Sequence, residues 1–523
     1  MSDLIQKIAL SRFAQRALAA RPELNAELAQ PQPFTRPEML NALNATSDDA
    51  LRRELRRLRN RVLLRVMARD LAGLASLDEV CGTMSDLAEV AIEKALDGDN
   101  LIVVGMGKLG GRELNVSSDV DLVFLYAGAA NAQERHERAG RRLIRLLSEN
   151  TEDGFVFRVD MRLRPYGDSG PLACNFEALE HYLITQGREW ERYAWLKARA
   201  LSGANHAALD AVVRPFVFRK YLDYATLAAM RGLHAEVRRD VARRELAEHV
   251  KLGPGGIREI EFIVQALQLI RGGREPELRV RPTVAALEVL AQKNLLPREA
   301  TRELAEAYIF LRNLEHRLQY LDDAQRHDLP QDDEDRARVA AMCGFPSWTE
   351  FYSKLEKIRA AVSRHFANVF AEAETPLEPW PDHPRLAALR SSQRYVALPQ
   401  ESRQRLDRLM PALARAAQAT PEPDATLTRG VALVEAIASR AAYLALLAEH
   451  PEALERVARI IGASSWAAEF LTRHPLLLDE LLDDRLLYAP VDLLSFKKNL
   501  HVRLDAADRD TEQRMNALRE AHQ

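Results

Sequence analysis

Cysteine is scarce in this 523-residue chain: only Cys81, Cys174 and Cys343 occur, far apart and with no CxxC pair. That scarcity excludes a disulfide framework and fits a reducing compartment. Long hydrophobic runs are missing too, since no apolar stretch approaches the roughly 18–20 residues that span a bilayer. Residues 1–10 (MSDLIQKIAL) lack the charged-then-apolar pattern of a signal peptide. Nor is there an excess of either charge: 73 Lys and Arg stand against 76 Asp and Glu, a net charge of −3. Near-neutrality argues against a dedicated nucleic-acid binder, whose affinity rests on neutralising phosphates. There is no repeat of solenoid period and no low-complexity tract. The expectation is a soluble, cytoplasmic protein with neither nucleic acid nor membrane as partner, of about three or four domains by length.

Helix dominates what is present. Leu, Ala, Arg and Glu abound, and apolar residues recur at i, i+3, i+4 and i+7 over long segments. Residues 51–71 (LRRELRRLRNRVLLRVMARDL) predict one such helix, with Leu55, Leu58, Val62 and Val66 on one side. Its arginines are expected on a solvated face, the sharper alternative being a docking surface for an acidic partner. The interval 100–165 departs from this pattern. Residues 101–104 (LIVV) and 121–126 (DLVFLY) are short apolar runs of the buried-strand kind, and 133–148 has helical periodicity. Residues 155–164 (FVFRVDMRLR) alternate, which predicts a half-buried strand with Arg158, Asp160, Arg162 and Arg164 on its open face. Prolines exclude regular helix from 375–384 (TPLEPWPDHP) and mark a weaker break at 420–424 (TPEPD).

The segment 105–122, GMGKLGGRELNVSSDVDL, carries the chemistry. Gly105, Gly107 and Gly110 match GxGxxG after a strand, the dinucleotide fingerprint. The element between the glycines and Asp119 is too short for a parallel crossover, however, and the acids open the second strand instead of closing it. The phosphate-binding loop of P-loop enzymes also fails, because no GxxxxG frame precedes Lys108. On a strand, Asp119 and Asp121 project to one side, and like charges that close are costly unless a cation lies between them. Asp160 adds a third carboxylate on the next strand. Paired acids alone are common in calcium loops and exposed turns. Three converging acids suit a two-metal site for in-line displacement at phosphorus, with Mg²⁺ as the expected ion. Gly107, Gly110 and Gly111 then let the backbone approach nucleotide phosphates, while Lys108, Arg162 and Arg164 offset polyphosphate charge.

A strand, a Gly-containing turn and Ser118-Asp119-x-Asp121 opening the next strand resemble the DNA polymerase β-like nucleotidyltransferase superfamily. The segments 105–126, 157–172 (FRVDMRLRPYGDSGPL), 187–203 (GREWERYAWLKARALSG), 251–265 (KLGPGGIREIEFIVQ) and 312–330 (RNLEHRLQYLDDAQRHDLP) more closely resemble the glutamine synthetase adenylyltransferase/adenylyl-removing family. The weaker SRAAYLALLAEHP and RHPLLLDELLD extend the likeness towards the C-terminus. The resemblance implies an α+β fold: a polymerase β-like core with a small mixed sheet, embedded in a mostly helical chain with a C-terminal helical bundle. The expected regions are an N-terminal helical part over 1–90, the nucleotidyltransferase domain over 91–240 and a helical bundle over 241–375. A linker with helices over 376–430 and a helical region over 431–523 follow. The resemblance also implies that Asp119, Asp121 and Asp160 hold Mg²⁺, as two ions, and that ATP or ADP and orthophosphate are substrates or products. Glutamine synthetase and the signalling protein PII are the implied partners.

The family's chain is nearly twice as long and carries the GKLGG…SDxD block twice. The single block here, followed by the SRAAYLALLAEHP stretch, reads as the N-terminal, adenylyl-removing half. The alternatives are forward AMP transfer from ATP to tyrosine, a nucleotide- or PII-sensing module without turnover, and a PII uridylyltransferase. The GPGGIREIEFIVQ and EHRLQ blocks are read against the last. Among the remaining residues, Lys197 is expected either to contact nucleotide or phosphate, or to be a charge beside an aromatic cluster of Trp190, Tyr193 and Trp195. Gly167, Ser169 and Gly170 suit a phosphate pocket or a plain turn equally. Lys251 opens a loop feeding a helix N-terminus, a natural anion site. Glu259 and Glu261 lie ~200° apart on that helix, so only one of them can readily face a cleft, and a structural role is the commoner reading for both. His316 and His327 read as structural.

Overall fold

The computed structural model describes residues 6–370 and 378–473, except 31, 46, 129–131, 204–205, 219–247, 399, 439–443, 445–446 and 449–450, together with Leu478 and Lys497. Two units make up the chain, Met1–Thr375 and Pro376–Gln523. The described part is mostly helical with one small mixed sheet. No helix among the described residues is long and apolar enough to cross a membrane.

In the first unit, α1 (Asp48–Leu71) and α2 (Leu77–Leu96) each start on a serine, Ser47 and Ser76, whose hydroxyl accepts a first-turn N–H. The arginines of α1 only in part make a solvated face: Arg53 and Arg57 are exposed, but four others are not. Arg56, Arg59, Arg65 and Arg69 are buried. Arg59 donates to both carboxylate oxygens of Asp323 at 2.7 Å, Arg65 pairs with Glu27, Arg69 pairs with Glu79, and Arg56 donates to the Leu146 and Gly154 carbonyls. Periodicity ranks residues by hydrophobicity and cannot anticipate such partners, which offset the cost of burying a guanidinium.

The sheet runs in the order β3 (Val159–Asp160), β2 (Val120–Tyr126), β1 (Ile102–Gly105), β5 (Arg199–Ala200), and β4 (Ala173–Asn175) also pairs with β2. β1 is antiparallel to β2 and β5, whereas β2 is parallel to β3 and β4. An antiparallel β1–β2 pair needs only a short connection, which is why the glycine segment contains one helical turn and no crossover helix. The longer return from β2 to β3 passes through α3 (Gln133–Ser148), which packs on β2, β3 and β4.

The alternating stretch 155–164 contributes just two residues to the ladder. Past Asp160 its own carboxylate accepts the Arg162 N–H at 2.8 Å, a side-chain turn that competes with strand pairing. Lys197 and Arg199 lie beyond a helix: α4 (Glu189–Trp195) stops before Lys197, and Arg199 pairs with Gly105 in the sheet. Farther along, α5 (Ile257–Arg271), α6 (Arg298–Tyr320) and α7 (Trp348–Phe370) pack on one another, and their apolar faces join the sheet in one core.

The second unit has its own core, built from helices Gln400–Gln418, Pro423–Ile437, Pro451–Ala463 and Ser465–Arg473. The break at 420–424 starts between the first two and runs into the first turn of the second. Most of SRAAYLALLAEHP and RHPLLLDELLD lie outside the described residues.

Candidate active site

A cavity of about 430 Å³ opens where β1 and β2 meet α4, α5 and the loop after α6. Gly107, Lys108, Ser118, Asp119, Asp121, Lys197 and Lys251 line it, so seven sequence-selected residues converge there. Gly107 takes φ +49°, and a Cβ on it would stand 3.1 Å from Asp121 Oδ2. Glycine here therefore supplies both the left-handed turn and the close approach to the acid.

Asp119 immediately precedes β2 and accepts from Gln325 Nε2 at 3.0 Å and from Ser118 Oγ at 3.4 Å. Asp121 lies in β2, in register with Asp160 of the parallel β3. Burial, then the fields of Asp119 and Asp160, push the Asp121 carboxyl up to about 6, while Lys251 and Lys108 pull the other way. Asp160 is held below the usual carboxylate range, chiefly by its side-chain bonds to Arg162, at 2.8 and 3.1 Å to the guanidinium Nε. Among the described residues, no three His, Cys, Asp or Glu side chains are gathered as a ready-made ion cage. The donor set is nonetheless all oxygen, and the repulsion that raises Asp121 is of the kind a cation relieves. Mg²⁺ suits such a place, because it binds one or two carboxylates and completes its shell with water and substrate phosphate.

The remaining candidates divide. Burial pushes the Lys108 ammonium down to about 8, and it pairs with the buried Glu315 at 3.1 Å. Lys197 turns its ammonium onto Glu113 at 2.6 Å and Thr283 Oγ1 at 3.0 Å. Gly110 and Gly111 stay outside the cavity lining. A Cβ at Gly110 would fall 2.1 Å from the Lys197 carbonyl oxygen, which gives this glycine a packing reason. Arg162 is engaged by Asp160, and Arg164 by the Met161 carbonyl and Asp168; neither lines the cavity. Gly167–Ser169 forms a short 3₁₀ turn, also off the lining. Glu261 is the glutamate facing the cleft, whereas Glu259 accepts from the Gly255 N–H and Ser363. His316 lies against Asn115, and His327 against Glu315.

Among the lining residues, Gln325, Arg258, Gln265 and the pocket-facing role of Tyr193 escaped sequence reasoning. All lie inside the ordered blocks, so the blocks flagged the neighbourhood without flagging the side chains. The buried layer under Lys108 also escaped it. There Arg312 donates to the Glu113 carbonyl at 2.6 Å and to Asn115, and Glu113 accepts from the Thr283 N–H and the Tyr308 hydroxyl.

Residues 1–99, 96–211 and 454–523 match the family described as glutamate-ammonia ligase adenylyltransferase, together more than half of the chain. The chain belongs to this family. The sheet, Asp119, Asp121 and Asp160 fall within its second matched segment. Residues 230–370, which supply α5, α6 and α7, match the GlnD PII-uridylyltransferase family. The GPGGIREIEFIVQ and EHRLQ blocks lie inside that match, so they do not separate the adenylyltransferase family from the uridylyltransferases as the sequence reading supposed. Similar relatives are the bifunctional glutamine synthetase adenylyltransferase/adenylyl-removing enzymes of Aromatoleum aromaticum (49% identical, covering 98% of this chain and 61% of that protein) and Chromobacterium violaceum (49%, 97% and 63%). That of Ralstonia nicotianae is 44% identical over 93% of this chain and 59% of its own length. The chain thus spans about three fifths of the curated relatives it matches.

Proposed function

We propose that the cavity is a nucleotidyl-transfer site of polymerase β-like type, and that it removes AMP from adenylylated glutamine synthetase by phosphorolysis. The observation that carries this is that Asp119 and Asp121 line one cavity together with Lys108 and Lys251, whose positive fields act on Asp121. Phosphorolysis must bring two anions together, and the protein's share is positioning and charge. An orthophosphate oxygen attacks the adenylyl phosphorus, the bond to the tyrosine oxygen breaks, and ADP leaves as the tyrosinate takes up a proton. Asp119 and Asp121 would hold Mg²⁺, which supplies charge neutralisation at the phosphoryl oxygens. Asp160 would join them only on leaving Arg162, and a second ion depends on that release. Lys251 holds the phosphates, and Lys108 adds positive charge from below. The Gly107 turn brings backbone N–H groups near.

Glutamine synthetase as protein substrate follows from the names of the relatives; PII as regulator and a cytoplasmic setting accompany the same reading. Forward transfer of AMP from ATP is the second reading, since the same carboxylates serve both directions. The test is to mix the purified chain with adenylylated glutamine synthetase, Mg²⁺ and orthophosphate. Stoichiometric ADP release is expected. ATP-dependent labelling of unmodified synthetase would reverse the direction, and neither activity would leave a binding module.

A further inference from the structure

One wall of the cavity carries three buried polar atoms with no hydrogen-bond partner: the Tyr193 hydroxyl, Arg258 Nε and Gln265 Oε1. Unpaired buried polar atoms are costly and uncommon, and each calls for a reason. Gln265 is only 4% exposed, and Glu261, one helical turn before it, 7%. At 100° per residue, positions 258, 261 and 265 of α5 fall within about 60° of one another, so all three side chains stand on one stripe towards the cavity. Beside the stripe is an aromatic surface. Tyr193 packs on Phe262 with ring centres 5.1 Å apart, Arg258 lies 5.3 Å over the Tyr193 ring, and Trp190 borders them with 42% exposure. Asp119, Asp121, Lys108 and Lys251 line the same cavity.

We propose that this wall is the nucleoside subsite for an adenosine 5′-phosphate, with Gln265 and Glu261 reading the 6-amino edge of the base. The assignment rests on the cavity being a nucleotide site. An aromatic face accepts any base by stacking, so the exposed Trp190 ring holds the base without choosing it. Choice falls to the polar stripe. A glutamine amide offers an adjacent donor and acceptor that match the amino group and a ring nitrogen of adenine. An ionised carboxylate only accepts, so Glu261 favours an amino group at C6 and opposes a carbonyl oxygen there. Bound this way, the base gives Gln265 the partner it lacks, and the phosphates extend towards Lys251 and the aspartates.

The test is calorimetric titration of the full chain, with Mg²⁺, by ADP and by inosine 5′-diphosphate, which replaces the 6-amino group by a carbonyl. Wild type is expected to bind ADP roughly tenfold more tightly, the scale of one hydrogen bond. Gln265→Leu is expected to bring the two within about twofold by weakening ADP alone, and the unchanged inosine nucleotide affinity certifies an intact pocket. Should that variant not fold, Gln265→Met, of similar length and flexible, also removes the amide and is expected to narrow the ratio. An unchanged ratio in the variant, or equal wild-type affinities, overturns the subsite while leaving the cavity a nucleotide site. No ADP binding by wild type overturns both.

Discussion

Asp121 and Lys197 illustrate how differently two charges on one cavity are used. The Asp121 carboxyl is raised to about 6 by burial and then by Asp119 and Asp160. Its ionised form therefore costs folding free energy, fully above pH 6 and not at all below the ordinary value near 4. Asp121→Asn is expected to raise the thermal midpoint at pH 7.5 without divalent ions, on the order of a few degrees, and to abolish ADP release. The thermal gain should shrink as pH falls through about 6 towards 4, which a series of melting curves checks. Lys197 behaves oppositely. Burial disfavours the Glu113 carboxylate, yet Lys197 and Arg312 hold it below its usual range. Lys197→Met would leave Glu113 buried and short of a counter-charge, and is expected to cost about 3–5 kcal/mol in urea unfolding. A loss of nucleotide affinity with little loss of stability would make Lys197 a phosphate ligand instead.

Between β1 and β2, two neighbouring glycines have unequal duties. A Cβ at Gly110 meets backbone carbonyls of Lys197 and Gly105 at 2.1 and 2.5 Å, whereas one at Gly111 meets the ends of Glu113 and Lys197 side chains at 3.0 and 3.3 Å. Backbone gives way less easily than a side-chain tip. Gly110→Ala is expected to cost about 1–3 kcal/mol, and Gly111→Ala clearly less, by denaturant midpoint. This difference marks where the sequence stops being readable. The strand–turn–strand element and the convergence of Asp119 and Asp121 were legible, because apolar runs and a carboxylate pair leave local signatures. Arg56, Arg59 and Arg65 were misread as solvated, and 155–164 as a full strand, because their partners are either remote in sequence or a competing local turn. Gln325 on Asp119 and Gln265 on the far wall come from segments more than 130 residues downstream of the aspartates. No periodicity reports on such meetings, only the order of the blocks.

At the scale of the molecule, each unit has a hydrophobic core of its own. Two components are expected in scanning calorimetry, and Mg²⁺ with ADP should raise the one carried by Met1–Thr375. At a hundred times its dissociation constant, a ligand adds about 2.7 kcal/mol to the unit that binds it. A single transition moving as a whole would defeat this expectation. Within the first unit, the charged layer beneath the cavity has a consequence for ancestry. Lys108 meets Glu315, and Arg312 meets Glu113 and Asn115. Every one of these bonds joins the stretch resembling adenylyltransferases to the stretch resembling uridylyltransferases. A recombinant trading residues 230–370 for a cousin's would inherit a stranded lysine and an unbraced loop unless the donor brought both Glu315 and Arg312. The heritable module is the cavity with its underside, wider than either stretch of likeness.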